Sequence, residues 1–410
     1  MLTLSELRAQ LPATQHTAYF NAGTNGPLPK VVSDTMAAAA QQELHEGRAT
    51  FASFMSLMEH AARLRQNLAA LLHVPTTSLA LMHNTSEGMN VALWGMRWQP
   101  GDEVITTSLE HPGLISPLAI LRQRSGITVR FVEVGYGERD RLLAGIRRAF
   151  TRRTRLVALS HVSYSSGALF PLEEIIDLAR QHEAWVLVDG AQTVGAMPLD
   201  LTALDVDFYA GPGQKWLCGP DSTGMLYVHP DRLDDLLPTF GSYTVQASHD
   251  DQGWFLPAPG AQRFESLAWY RPAVPGFDAA VTWLQHEVGM ERIFERIAML
   301  ASLLCEHLAE LPDITVLTPP GQRAGLVNFD VHGWSPQAQA GLTMALLEQG
   351  SLVRSIPHHP YCLRAATGFY NTEDEVLGLV TALRETIAQG PQRMTTPVWA
   401  ATLPATYTGP

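Results

Sequence analysis

Lysine is almost missing from this chain. Of 28 basic residues among 410, only Lys30 and Lys215 are lysines, and the other 26 are arginines. Cysteine is nearly as scarce. Cys218, Cys305 and Cys362 lie far apart with no CxxC pair, which excludes a disulfide framework and fits a reducing, cytoplasmic compartment. No run approaches 18 uninterrupted apolar residues, so nothing reads as membrane-spanning. The start, MLTLSELRAQLPAT, lacks the basic opening and apolar core of a signal peptide and reads as a short amphipathic helix. A net charge of −12 argues against nucleic acid or a polyanionic membrane surface as the main partner, since both select for basic patches. A small anionic ligand, which needs only local positive potential, stays open. What remains, with 46% hydrophobic and 17% charged residues, is an ordinary globular composition, long enough for two or three domains.

Between about residues 50 and 230, helical periods alternate with short apolar runs. MEHAARLRQNLAALLHV, SEGMNVALWGMRW, GLISPLAILRQRSG, LLAGIRRAF and LEEIIDLARQHE read as helices. LALMH, DEVITTS, VRFVEV, RLVALSHV, AWVLVDG, DFYAGPG and TGMLYVH read as strands. Strands this apolar, most of them followed by a helix, predict an α/β fold with a parallel sheet covered on both faces. The rhythm stops at 231–275, where FGSYTVQASHDDQGWFLPAPGAQ reads as a long functional loop or a segment ordered by a partner subunit. A long helical stretch from FDAAVTWLQHEVGMERIFERIAMLASLLCEHLAEL then opens a smaller α/β domain. The expected division is an N-terminal helix at 1–15, a large domain at 16–272, a small C-terminal domain at 273–390 and a tail at 391–410. That tail, rich in proline, reads as a surface arm or as disorder.

The isolated Lys215 raises a chemical possibility. An arginine keeps its proton in a protein, whereas a lysine can lose it when desolvated or placed near other cations. Imine formation needs the neutral amine, which is only roughly 0.04% of a free lysine at pH 7. Asp189 ends the strand AWVLVDG, where ligands bind in doubly wound sheets, and a carboxylate there can hold a protonated pyridine nitrogen. Gln192 follows three residues later. Thr85 and Ser86 open a helix after LALMHN, offering hydroxyls and backbone N–H groups to a phosphate, although the same TSEG reads as an ordinary helix start. His111, after another strand, is able to stack flat on a planar ring.

In this order the set resembles the class-V aminotransferase superfamily of pyridoxal-phosphate enzymes, the fold-type I group that contains cysteine desulfurases, C–S lyases and isopenicillin N epimerase. The likeness runs from YFNAGTNGPLP (19–29), which includes Thr24, to RAATGFYNTEDEVLGLV (364–380). It is most specific over 156–228, which holds VDGAQTVGA and GPGQKWLCGP. It implies a mostly parallel sheet between helices in a large domain, plus the smaller α/β domain. It also implies pyridoxal 5′-phosphate as cofactor, with Lys215 bonded to it, Asp189 on the pyridine nitrogen and Gln192 on the ring hydroxyl. His111 would stack on the ring, with Thr85, Ser86 and Gln214 toward the phosphate and Arg364, Thr24 and Tyr164 toward an amino-acid substrate. Catalysis would rest on Lys215, His111 and Asp189. Gln214 stands where the family often has histidine, and Pro212 where serine is common. The family further implies a homodimer with shared active sites. GSYTV and RFESLAWYRP are the candidate crossing segment, and Ser242 or Ser266 the candidate reach to the partner's phosphate.

The stretch VRSIPHHPYCLRAATG (353–368) bears on the reaction. Desulfurases of this group place a persulfide-forming cysteine after two histidines on a longer loop; here Pro360 follows His358 and His359. Cys362 either faces the substrate, if the strand is extended, or fills a small apolar space beside Arg364. HHPYC lacks a fourth ligand and a metal spacing, so no metal is expected. Tyr164 narrows the pocket as in the lyase and epimerase branches, and Trp216 is either a pocket wall or core. The leading expectation is C–S cleavage of a cysteine-derived amino acid by β-elimination. An atypical cysteine desulfurase, an amino-acid epimerase, and a non-catalytic binding protein are the alternatives.

Overall fold

A computed structural model of the chain describes residues 2–243, 245–266 and 269–403. Its centre is a seven-stranded sheet. In chain order the strands are β1 (Leu79–Met82), β2 (Glu103–Thr107), β3 (Thr128–Val132), β4 (Thr154–Ser160), β5 (Trp185–Asp189), β6 (Phe208–Pro212) and β7 (Gly224–Val228). Across the sheet the order is β1-β7-β6-β5-β4-β2-β3. The pairs from β3 to β6 are parallel, and β7 is antiparallel to both of its neighbours. The sheet is therefore mostly parallel, as the alternation predicts. The exception has a local cause: an eleven-residue loop, 213–223, joins β6 to β7 without a crossover helix, so the strand can only return antiparallel. Because β1 is reversed twice, it points the same way as the parallel set. Its C-terminal end thus lies along the same edge as those of β4, β5 and β6.

After α1 (Leu4–Ala9), α2 (Lys30–Glu46) and α3 (Phe51–Leu72), helices α4 (Thr85–Gly95), α5 (Pro112–Ser125), α6 (Arg139–Ala149) and α7 (Leu172–Gln181) follow β1, β2, β3 and β4, and strands such as β2, β6 and β7 are buried at every position. The expected long helix after residue 277 is broken. A helix at Ala273–Trp283 runs through a π-turn at Leu284–Val288 to Gly289, whose φ of 91° suits glycine, and a second helix spans Met290–Ala309. The first piece packs on the helices Lys30–Glu46 and Phe51–Leu72, and the second on strand Ile314–Val316 and helix Glu373–Ile387. A one-residue register cannot serve both faces, so the break falls between them.

A four-stranded antiparallel sheet is built from β10 (Ile314–Val316), β11 (Leu326–Val331), β12 (Arg354–Ser355) and β13 (Leu363–Ala366), after a hairpin of β8 (Gln246–His249) and β9 (Phe255–Pro257) in the segment that reads as a loop. The N-terminal segment ties the two sheets together. Tyr19 pairs with Leu352, Asn21 bridges to Ala366, and Gly26 N–H donates to the Gln214 carbonyl. Of the tail, 391–403 packs in part on helix Pro336–Glu348, where Gln337 Nε2 donates to the Leu403 carbonyl and Ala400 is buried. Residues 404–410, and Thr244, Leu267 and Ala268 of the expected crossing segment, lie outside the described residues. Among the described residues no helix is long and apolar enough to cross a membrane.

Candidate active site

The C-terminal edge of the large sheet opens on a cavity of about 260 Å³. Its lining brings together ten of the residues expected from the sequence: Thr24, Thr85, Ser86, His111, Tyr164, Asp189, Gln192, Gln214, Lys215 and Arg364; Ser242, Ser266 and Trp216 are not part of it. The ten come from seven separate stretches of chain, so the convergence is a product of the sheet topology.

Lys215 sits in the loop after β6. Desolvation pushes its amine down to about 8; Arg364 and Arg354 push the same way, and Asp189 opposes them. This is the balance that an imine-forming lysine requires. Asp189, 5% exposed, accepts the Ala191 N–H at 2.9 Å and makes no ion pair among the described residues. Gln192 is anchored on two sides: its Nε2 donates to the Gly23 carbonyl at 3.0 Å, and its Oε1 accepts the Trp216 indole N–H at 3.0 Å. Trp216 is therefore not a wall of the cavity. It is 2% exposed, and its ring lies where a Cβ on Gly325 would fall, within 2.4 Å. Aromatic size alone leaves wall and core open; the buried partner for its N–H settles on core.

His111 caps α5, its Nδ1 accepting the Gly113 N–H at 3.0 Å. An accepting Nδ1 places the ring proton on Nε2. Desolvation lowers its proton affinity, with Lys215, Arg364 and Arg354 adding to it against Asp189. The ring of Tyr164 meets it edge-on, 4.9 Å away at 82°. Burial pushes the Tyr164 phenol up to about 12.

At the other end of the cavity Asn84 caps α4, accepting the Glu87 N–H through its side chain and the Gly88 N–H through its carbonyl. Thr85 Oγ1 and Gln214 Oε1 are buried with no hydrogen-bond partner among the described residues. Buried polar atoms without partners are costly, and both belong to residues that line the cavity beside a helix N-terminus. A phosphate there would satisfy the Thr85 hydroxyl and, with the amide turned over, the Gln214 NH₂. A buried unpaired carboxylate, an amine of lowered proton affinity and a neutral imidazole complete a donor set that fits pyridoxal phosphate.

Two guanidiniums share the mouth of the site. Arg354 and Arg364 are directly opposed across β12 and β13. Both donate to the Thr24 hydroxyl, Arg354 Nη1 at 2.8 Å and Arg364 Nη2 at 3.1 Å. Arg364 is 2% exposed, its Nε has no partner among the described residues, and its Nη1 reaches the Tyr164 carbonyl at 3.3 Å. Among the described residues neither arginine meets a carboxylate. Like charges set opposite each other on a sheet are destabilising, which makes the pair an anion receptor. Sequence reasoning found Arg364 and missed Arg354. The available signal was two arginines ten residues apart in one hairpin. Ser160, at the end of β4, and His358 also line the cavity; no motif marked Ser160, and the HHPYC stretch drew attention to His358 without giving it a place in the site.

Cys362 does not line the cavity. Its Sγ donates to the Ser165 carbonyl and accepts from Asn328 Nδ2, and burial pushes the thiol up to about 12. Of the two orientations open in the sequence, the packed one is adopted. Gly26 packs on the backbone behind Lys215, where a Cβ would lie 2.2 Å from the Lys215 carbonyl oxygen. Gly26→Ala is accordingly expected to cost about 1–3 kcal/mol through overpacking. A lowered unfolding midpoint of the apoprotein, together with weaker cofactor retention, would register it.

Comparison with known proteins agrees with this geometry. The aminotransferase class-V family model matches residues 18–379. A cysteine desulfurase of Salmonella dublin is 30% identical over 404 residues, covering 93% of this chain and 97% of its own. Two structures of C-DES superpose with a TM-score of 0.86 at 32% identity, over 92% of this chain and 99% of theirs. One is a lysine variant with glycine covalently linked to its PLP cofactor; the other is the cystine C–S lyase with its product, cysteine persulfide. The chain belongs to the class-V aminotransferase family, as an enzyme that uses pyridoxal phosphate.

Proposed function

We propose that the protein cleaves the C–S bond of a cysteine-derived amino acid by β-elimination, releasing a sulfur fragment, pyruvate and ammonia. The observation that carries this reading is the make-up of the cavity wall, which holds two unpaired guanidiniums and, among the described residues, no cysteine. A substrate with a second carboxylate beyond its sulfur, such as cystine or a cysteine conjugate, suits two arginines better than free cysteine does.

When bound, pyridoxal phosphate supplies an electron sink for the pair left as the Cα–H bond breaks. Asp189 would hold a proton on the ring nitrogen, Gln192 would reach the ring hydroxyl, and His111 would lie against the ring. Thr85, Ser86 and Gln214 would hold the phosphate. Arg364, with Thr24, fixes the α-carboxylate and so orients the Cα–H bond, beside the wall that Tyr164 forms. Lys215 Nζ takes the α-proton, a role for which an amine near neutrality is suited. Sulfur then leaves from Cβ as the thiol or persulfide, and water hydrolyses the released aminoacrylate to pyruvate and ammonia.

Supplying purified holoenzyme with cystine, S-substituted cysteines and cysteine, while following pyruvate, alanine and sulfide, tests the reading. Pyruvate from the disulfide or thioether substrates is expected. Alanine as sole product would mean desulfuration, and solvent deuterium at Cα without pyruvate would mean epimerisation. Cys362→Ser is expected to keep full turnover, because the thiol is buried and protonated; a large loss in that variant would restore a persulfide route.

We also infer a homodimer and a cytoplasmic setting. Exposed Trp254, Phe255 and Leu256 on the β8–β9 hairpin, with Tyr270 beyond it, support a subunit contact there, and three free, buried cysteines suit a reducing compartment.

A further inference from the structure

Close to Asp189 lies a second buried carboxylate, which the reaction above leaves unused. Glu110 immediately precedes His111 and is 6% exposed. Its Oε1 accepts from Thr107 Oγ1 at 2.6 Å, and its Oε2 accepts from the Ser160 hydroxyl at 2.6 Å and the Ser160 N–H at 2.8 Å. Ser160 is the cross-strand partner of Asp189 and lines the cavity, so one residue separates the two acids. The next residue, His161, donates its N–H to the Asp189 carbonyl, and its ring, kept neutral by burial, meets the Tyr209 hydroxyl. Tyr164 faces Glu110 from the loop after β4, Lys215 and His111 face Asp189 from the cavity side, and Arg364 and Arg354 act on both of those. No cation touches Glu110 among the described residues. Burial first, and the Asp189 charge in addition, raise its affinity for a proton to about 7, against the pull of Ser160 and Thr107.

Two carboxylates this close resist ionising together. A protonated ring nitrogen delivered to Asp189 removes the repulsion felt by Glu110. We propose that Glu110 is a positioning residue that acts through Asp189, giving up its proton to solvent as the cofactor ring enters and so adding a second negative charge behind the ring nitrogen. The inference rests on the cofactor reading above. By linkage the coupling is reciprocal: the ionised Glu110 tightens the hold on a cationic ring, and a protonated Glu110 loosens it.

The experiment titrates apoprotein with pyridoxal phosphate at pH 7 in two buffers of different ionisation enthalpy, which counts protons released per cofactor bound. Wild type is expected to release up to about half a proton more than Glu110→Gln, since a group titrating near the working pH is half protonated there. In the holoprotein, the pH midpoint of the cofactor's visible absorbance is expected about half a unit or more lower in Glu110→Gln, because a nearby negative charge is gone. Thr107→Val removes one donor from the carboxylate without touching the cavity. It is expected to move the pH of maximal proton release upward, and it tests the idea even if the glutamine variant folds poorly. Equal proton counts and equal midpoints in wild type and variants, with cofactor fixed on Lys215 by borohydride, would overturn the inference alone. Failure to fix cofactor on Lys215 would overturn the functional reading beneath it.

Discussion

Lys215→Ala is expected to lower pyruvate release at least about 10³-fold and to abolish the covalent fixation of cofactor by borohydride. Two losses combine. The variant lacks the base for the α-proton, a role worth typically about 10²–10⁴-fold, and it lacks the amine whose exchange with substrate lets product leave. The pH dependence follows from the lowered proton affinity. With the amine held at about 8, roughly a tenth is neutral at pH 7, against about 0.04% of a free lysine. Capture of pyridoxal phosphate by apoprotein is therefore expected to quicken about tenfold from pH 6 to pH 7 and to level off above pH 8. The sign is that of a cation: burial and nearby arginines disfavour the charged form, so the reactive form gains as pH rises. A capture rate that kept climbing to pH 10 would show an unperturbed lysine. Residual turnover of Lys215→Ala within tenfold of wild type would remove this residue from the chemistry.

Much of this site was legible because its parts lie at topologically privileged points. An aspartate closing an apolar strand, hydroxyls opening a helix after another strand and a solitary lysine after a third all mark the C-terminal edge of a parallel sheet. Local pattern shows such positions without any knowledge of packing. Arg354 was not legible in that way. Its role depends on the pairing of β12 with β13, which sets it opposite Arg364, and strand register is a long-range property. Trp216 and Cys362 failed to resolve for a related reason. A buried indole and a buried thiol are read only once their partners are known, here Gln192 and, for the thiol, Ser165 and Asn328. Glu110 lies beside the most readable motif residue, His111, yet sequence marks it as a surface charge by default, because an isolated glutamate is seldom fully buried. The break at Gly289 was likewise hidden inside an unbroken apolar period, since periodicity reports a face and not which neighbour that face meets.

The two arginines divide the substrate between them, and their removal is expected to give different signatures. Arg364 is buried, and its Nε has no partner among the described residues, so an arriving carboxylate gains a charge-assisted fork contact that water cannot supply there. Arg364→Ala is expected to lower kcat/KM by about 10²-fold or more for every amino-acid substrate. That matches the 2–5 kcal/mol lost when one partner of a buried charge pair is truncated, at about 1.4 kcal/mol per tenfold. Arg354 is more exposed and shares the Thr24 hydroxyl, so a contact made there is partly screened. Arg354→Gln is expected to lower kcat/KM about tenfold for cystine-like substrates that carry a second carboxylate, mainly through KM, and to leave S-alkyl cysteines with one carboxylate nearly unchanged. Equal losses for both substrate classes in Arg354→Gln would show that the two arginines act as one receptor for the α-carboxylate, and the preference for a second carboxylate would fall with it.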